Sequence, residues 1–199
     1  MIKIKICGLT RQFDIDAVNI EKPDYIGFIF ADSRRKVTPQ QAMELRGKLA
    51  QGIVPVGVFV DETIEQIYSL IQNGVIDAVQ LHGAENEEYI GRLKDRTAKP
   101  VIKAISVEKA GDVQKWALTV ADYLLLDNKD GGTGQAFDWS LIGKTTKPYF
   151  LAGGLDTDNV TNAINQTVPY ALDVSSGVET DGFKDPGKIK KFIRRVRHG

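Results

Sequence analysis

Lys3-Ile4-Lys5-Ile6-Cys7, followed at once by Gly8-Leu9-Thr10, is a strand-like run that ends in a turn and carries the chain's lone cysteine at its downstream end. Seven further apolar runs follow: Tyr25–Phe30, Val54–Val60, Ala78–Leu81, Val101–Ile105, Tyr123–Leu126, Tyr149–Leu151 and Ala171–Val174. Most are continuous, which suits parallel strands covered on both faces, whereas a strand wet on one side would alternate. Between them, apolar residues recur at helical spacing, as in Ile64, Ile67, Tyr68 and Ile71, and again in Ile189, Phe192, Ile193 and Val196. Thr38-Pro39-Gln40-Gln41 supplies a capping hydroxyl, a proline at the first helical position and a glutamine placed to close a capping box, and Asp185-Pro186 supplies cap and proline again.

Eight strands alternating with helices, at about 25 residues per unit, fit an α/β fold of the closed (β/α)8 or TIM-barrel type near its lower size limit. The competing doubly wound open sheet usually has fewer strands and often a G-x-G-x-x-G after the first, where this chain reads Cys7-Gly8-Leu9-Thr10. The 199 residues, 42% of them hydrophobic, can bury one substantial core, and no shift in composition marks a second, so residues 1–199 read as a single barrel domain.

Lys plus Arg equals Asp plus Glu at 26 each, which removes the long-range attraction a nucleic acid would need. One cysteine cannot form an internal disulfide, and the Lys/Ile alternation at the start is unlike a signal peptide, so a reducing, cytoplasmic setting is expected. No apolar run approaches the roughly 20 residues that span a bilayer. The Asn-x-Thr triplets at Asn159 and Asn165 carry no weight without a secretory route. With two histidines and one cysteine there is no zinc-ligand spacing, and no Walker-type loop occurs, so neither metal nor cofactor is implied. The basic stretch Lys188–Arg197 has the pattern of an amphipathic membrane helix, yet cations at the end of a last barrel helix also complement its dipole, and balanced net charge favours that plainer reading.

In a barrel, the C-terminal strand ends form one face where catalytic groups gather. Delivered there are Cys7, the loop Asp32-Ser33-Arg34-Arg35-Lys36, Asp61, His82, Ser106 and Asp127, with Ala152-Gly153-Gly154 and Ser175-Ser176-Gly177 after the last two strands. The glycine- and serine-rich clusters at Gly131-Gly132-Thr133-Gly134, Gly153-Gly154 and Ser175-Ser176-Gly177 let backbone N–H groups approach an anion closely. Loops after strands seven and eight are the usual phosphate cradle of this architecture, so a phosphorylated small molecule is the expected ligand.

These residues also support a family resemblance. Lys5-Ile6-Cys7-Gly8-Leu9-Thr10 resembles the amino-terminal signature of phosphoribosylanthranilate isomerase, a cofactor-free enzyme of tryptophan biosynthesis. So, in order, do Gly27-Phe28-Ile29-Phe30, Val56–Val60, Val79-Gln80-Leu81-His82-Gly83, Leu124–Asp127, Gly132-Thr133-Gly134 with Phe137-Asp138-Trp139, Leu151–Leu155 and Asp173–Val178, covering nearly the whole chain. The resemblance implies an Amadori rearrangement of N-(5′-phosphoribosyl)anthranilate to 1-(2-carboxyphenylamino)-1-deoxyribulose 5-phosphate. It places the general base at Cys7 and the general acid at Asp127.

The two roles make opposite physical demands. A thiol with pKa near 8.5 is only roughly 3% thiolate at pH 7, so Cys7 needs neighbours that favour its anion. Asp127 must hold a proton to donate, as burial or bound negative charge would favour. Arg35 falls where the family grips the anthranilate carboxylate, although the second arginine, Arg34, is a rival for that role, and the aromatic residue often found after the binding arginine is missing. His82 and Asp173 are possible substrate contacts, each with a structural alternative as a hydrogen-bonded wall residue.

Other sugar-phosphate barrel chemistries stay open from the residues alone. A histidine-pathway aminoaldose isomerase would want an aspartate in place of Cys7, a Schiff-base aldolase would need a strand lysine such as Lys103, and a binding module would need neither Cys7 nor Asp127. The expected partner is a small phosphorylated substrate, with no nucleic acid and no membrane, on a monomer or homodimer.

Overall fold

Eight parallel strands close into a barrel in the computed structural model, which describes residues 1–128 and 136–198. They are β1 (Lys3–Cys7), β2 (Tyr25–Ile29), β3 (Val54–Phe59), β4 (Ala78–Leu81), β5 (Val101–Ser106), β6 (Tyr123–Asp127), β7 (Tyr149–Leu151) and β8 (Ala171–Val174). Each strand pairs with its neighbour in sequence, and β1 closes the ring on β8 with Lys5 opposite Asp173. The expected strands thus all form, with ends moved by at most one residue.

Among the described residues six α-helices cover the outside: α1 (Gln12–Glu21), α2 (Pro39–Arg46), α3 (Ile64–Gln72), α4 (Glu87–Arg96), α5 (Val160–Gln166) and α6 (Pro186–His198). The box at α2 closes as its sequence requires, with Gln41 N–H donating to Thr38 Oγ1 at 3.2 Å and Thr38 N–H to Gln41 Oε1 at 2.9 Å. Asp185 accepts from Lys188 N–H at 3.1 Å ahead of α6. That helix turns Ile189, Phe192 and Ile193 inward to full burial, so its basic face is the solvent side of a barrel helix.

Among the described residues strict strand–helix alternation fails twice. After β5 and after β6 they make only short 3₁₀ turns, Gln114–Trp116 and Trp139–Ile142. Gly111 at φ 95° and Gly143 at φ 62° take up left-handed backbone that a continuing α-helix would not hold. A hairpin of β9 (Glu179–Thr180) and β10 (Phe183–Lys184), unforeseen from the sequence, lies between β8 and α6.

Successive strand side chains alternate between the barrel lumen and the helix layer. The lower lumen is filled by Val56, Ala78, Ile102, Leu125, Phe150 and Ala171, plugged by Tyr25, Tyr123 and Tyr170. Tyr25 and Tyr170 hydroxyls meet at 2.9 Å, and Phe150 stacks edge-on against Tyr25 and Tyr123. The upper lumen is left for polar groups, Lys5, Gln80 and Asp173 among them.

Candidate active site

Cys7 ends β1 and Asp127 ends β6, on different sides of the ring, and both face one cavity of about 370 Å³ at the C-terminal mouth. That size suits a small organic ligand. Arg35, His82, Asp173, Gly153, Gly154, Ser175 and Ser176 line the same cavity, so the expected candidates are brought together from six different strands and loops. Gly177 lies just behind, in a parallel bridge with Asp156 that ties the β8 loop to the β7 loop. Gly132 and Gly134 lie outside the described residues.

The thiol of Cys7 is nearly buried, and a β-carbon on Gly27 of β2 would lie 2.6 Å from its sulfur, so only glycine at that position leaves the sulfur its place. Burial pushes the thiol pKa up; Lys5 and Lys184 pull it down, and Asp173 adds to the rise. The expected cations are therefore present, but desolvation outweighs them in the ligand-free site.

Lys5 itself is fully buried in the lumen two residues before Cys7. Its ammonium donates to Asp173 Oδ2 at 2.8 Å and to Gln80 Oε1 at 2.8 Å, and it also contacts the thiol. Burial opposes its charge, but Asp173 and Cys7 beside it prevail and raise its pKa. Gln80 Nε2 meets His82 Nδ1 at 2.9 Å, and His82 Nε2 stands 3.6 Å from Asp127 Oδ2. Asp127 Oδ1 accepts from Asn128 N–H at 2.8 Å, and Gly153, at φ 79°, leaves it room, since a β-carbon there would come within 2.9 Å of that oxygen.

A second charged cluster lies behind Cys7. Glu179 of β9 accepts from Arg35 Nε at 2.7 Å, Arg35 Nη2 at 2.9 Å, Arg34 Nη2 at 2.7 Å and Lys184 Nζ at 2.6 Å. Three cations on one carboxylate leave the cluster with a net positive charge, which Arg35 brings to the cavity wall. Desolvation would raise the Glu179 pKa, but the bonds from Arg35 and Lys184 prevail and hold it below the usual carboxylate range. Burial lowers that of Lys184. Arg35 is nearly buried and lines the cavity, whereas the Arg34 side chain is 59% exposed and does not. Gly8, at φ 81°, seats Arg35: a β-carbon there would fall 2.5 Å from Arg35 Cδ.

Lys5, Gln80, Glu179 and Lys184 are site residues that the sequence reading did not single out. A two-residue period would have found the first two, because Lys5 shares a strand face with Cys7 and Gln80 with His82. Glu179 and Lys184 come from a hairpin too short to leave a strand signal. Lys103 does not line the Cys7 cavity; it lines an adjoining one that shares His82, Ser106 and Asp127, where its ammonium is held by Glu85 Oε2 at 2.8 Å and Gly83 O at 2.7 Å.

Among the described residues no group of three or more His, Cys, Asp or Glu side chains could hold a metal, and no helix is long and apolar enough to cross a membrane. The β7 and β8 loops approach so closely at Gly177 that an added methyl would run into Leu155 O and lie 2.8 Å from Asp156 Cα. Gly177→Ala is therefore expected to cost about 1–3 kcal/mol of stability and to raise KM for a phosphorylated substrate, as thermal melts and steady-state kinetics would show. An unchanged KM would detach this junction from phosphate binding.

The comparisons with known proteins agree with this geometry. A family profile described as N-(5′-phosphoribosyl)anthranilate (PRA) isomerase matches residues 4–195. The N-(5′-phosphoribosyl)anthranilate isomerase of Endomicrobium trichonymphae is 48% identical over 201 residues, covering 99% of each chain. The crystal structure of the phosphoribosyl anthranilate isomerase from Thermotoga maritima superposes with a TM-score of 0.90 at 35% identity, covering 99% of both chains. Another solved isomerase, in complex with reduced 1-(o-carboxyphenylamino)-1-deoxyribulose 5-phosphate, superposes at 0.87 with 35% identity and 99% coverage of both chains. The chain, with its closed barrel and its cysteine and aspartate at one mouth, belongs to the N-(5′-phosphoribosyl)anthranilate isomerase family of tryptophan biosynthesis.

Proposed function

We propose that Cys7 is the general base and Asp127 the general acid of an Amadori rearrangement of N-(5′-phosphoribosyl)anthranilate. The observation that carries this reading is their convergence on one cavity from β1 and β6. Asp127 gives its proton to the furanose ring oxygen as the C1′–O bond breaks and the anilino nitrogen lone pair forms an iminium. The iminium makes the C2′ proton acidic, the Cys7 thiolate removes it, and the enolamine that results tautomerises to the aminoketone. A thiol whose pKa is raised is less often ionised, but its thiolate is the stronger base when formed. Because the reactive form of Cys7 is the deprotonated one and burial raises its pKa, the limb of the kcat/KM profile that reports Cys7 is expected to lie above the ordinary thiol range, and a limb at or below that range would count against the assignment.

The phosphate is assigned to the backbone of Gly153, Gly154, Ser175, Ser176 and Gly177, with Gly132 and Gly134 as further candidates. The carboxylate is assigned to Arg35. Glu179 holds the guanidinium along its Nε–Nη2 edge, and the planar group keeps its Nη1–Nη2 edge for a second carboxylate. Asp173 lines the cavity and its buried Oδ1 has no hydrogen-bond partner, which suits a substrate hydroxyl or amine.

The test uses phosphoribosylanthranilate generated in place and follows loss of its anthranilate fluorescence. Arg35→Ala is expected to raise KM by roughly 10- to 100-fold, the loss of a charge-assisted bidentate contact, while Arg34→Ala changes it little. Equal small effects would remove the carboxylate clamp from this loop.

A further inference from the structure

We infer that Lys5 and Gln80 are positioning residues that fix His82 in its Nε2–H tautomer, so that a neutral imidazole presents a donor to Asp127. The inference rests on the assignment of Asp127 as the acid and adds a part to it. The argument is one of hydrogen-bond polarity. An ammonium has donors only, so the Gln80 atom that meets Lys5 Nζ at 2.8 Å must be the amide oxygen. This fixes the flip of the amide and turns its NH2 toward His82 Nδ1 at 2.9 Å. A nitrogen that accepts there cannot carry a proton, so the hydrogen of neutral imidazole resides on Nε2, the atom that faces Asp127 Oδ2 at 3.6 Å.

Burial makes the arrangement rigid. Lys5 is 0% and Gln80 1% exposed, so no water competes for either end of the amide. Asp173 Oδ2, also on Lys5, keeps the ammonium in place and compensates its charge. Of the groups that face His82, Gln80 donates to Nδ1, and the Asp127 carboxyl stands 3.6 Å from Nε2, close enough for the N–H to point at it without a hydrogen bond being formed.

A consequence for the reaction follows. As Asp127 loses its proton to the ring oxygen, the fixed N–H dipole of His82 stabilises the carboxylate that forms. His82 is thus a neutral donor in this reading, neither general base nor relay.

The test is made on the full chain with isotope-labelled histidine, in a His198→Ala background that leaves His82 as the one imidazole. Nitrogen shifts and two-bond couplings to the ring protons report which nitrogen carries hydrogen. The expected result is a protonated Nε2 and an acceptor-type Nδ1. In Gln80→Glu the carboxylate still accepts from Lys5 but cannot donate while ionised, so hydrogen is expected to move to Nδ1, with kcat down by roughly 10- to 100-fold and affinity for the reduced product analogue within about threefold. Gln80→Met, which keeps length without polarity, is expected to release the tautomer to the exchanging mixture of free imidazole and to lower kcat in the same way.

A hydrogen on Nδ1 in the parent protein, a tautomer unmoved by both substitutions, or kcat unmoved by both would overturn the inference. Full activity in an Asp127 variant would instead refute the acid assignment and leave the tautomer measurement standing, so the two failures are told apart.

Discussion

Cys7→Ser is expected to lower kcat by about 10²- to 10⁴-fold, and Asp127→Asn to do so independently, while both variants keep the melting temperature and the affinity for the reduced product analogue. A serine hydroxyl is far less acidic than a thiol, so the alkoxide that could replace the thiolate is not populated near neutrality. An asparagine keeps the size of Asp127 and its acceptor toward Asn128 N–H, but it has no acidic proton for the ring oxygen. Because each residue serves a different proton transfer, a split between kcat and binding is the diagnostic outcome: a contact made equally with substrate and transition state would raise KM and leave kcat alone. Turnover near the parent value in either variant would reject that residue's assignment.

Lys103→Met is expected to lower the free energy of unfolding by about 3–5 kcal/mol, read from the urea midpoint at constant slope. The side chains of Lys103 and Glu85 are 3% and 1% exposed, and Glu85 also accepts from the Asp61 and Gly83 backbone N–H groups. Removing the ammonium leaves a carboxylate buried in the β4 loop with its charge uncompensated. The Trp116 ring, 5.7 Å from Lys103 Nζ, loses its cation as well. For a domain whose whole stability is about 5–15 kcal/mol, that loss is large. Adding Glu85→Gln should recover part of it, since a neutral amide costs less to bury than an unpaired ion. A Lys103→Met protein as stable as its parent would show that water reaches this pair. The result also bears on function, because a lysine committed to holding the β4 loop is not a Schiff-base nucleophile.

The strands of this barrel were legible because fully covered parallel strands are written as continuous apolar runs, and all eight appear where those runs stand. That the described residues after β5 and β6 form no α-helix was not legible, because irregular connections and helical ones have similar lengths and the left-handed backbone at Gly111 and Gly143 appears only in the structure. Cys7 and Asp127 could be marked in advance because each ends a strand. Arg35 and Arg34 are adjacent and chemically alike, and only burial against Glu179 separates them.

What the amino-acid order determined by itself is local: which segments extend, where helices start, and which polar groups stand at strand ends. Those are set by side-chain period and by capping chemistry within a few residues. What the tertiary structure alone decided is which distant groups meet: Lys5 bonded to Asp173 and Gln80, His82 facing Asp127 at 3.6 Å, Arg35 bonded to a glutamate 144 residues away. Closure of the ring brings β1 against β8 and points every second side chain into one narrow lumen. There the removal of water makes the identity of each partner, donor or acceptor, govern what the site can do.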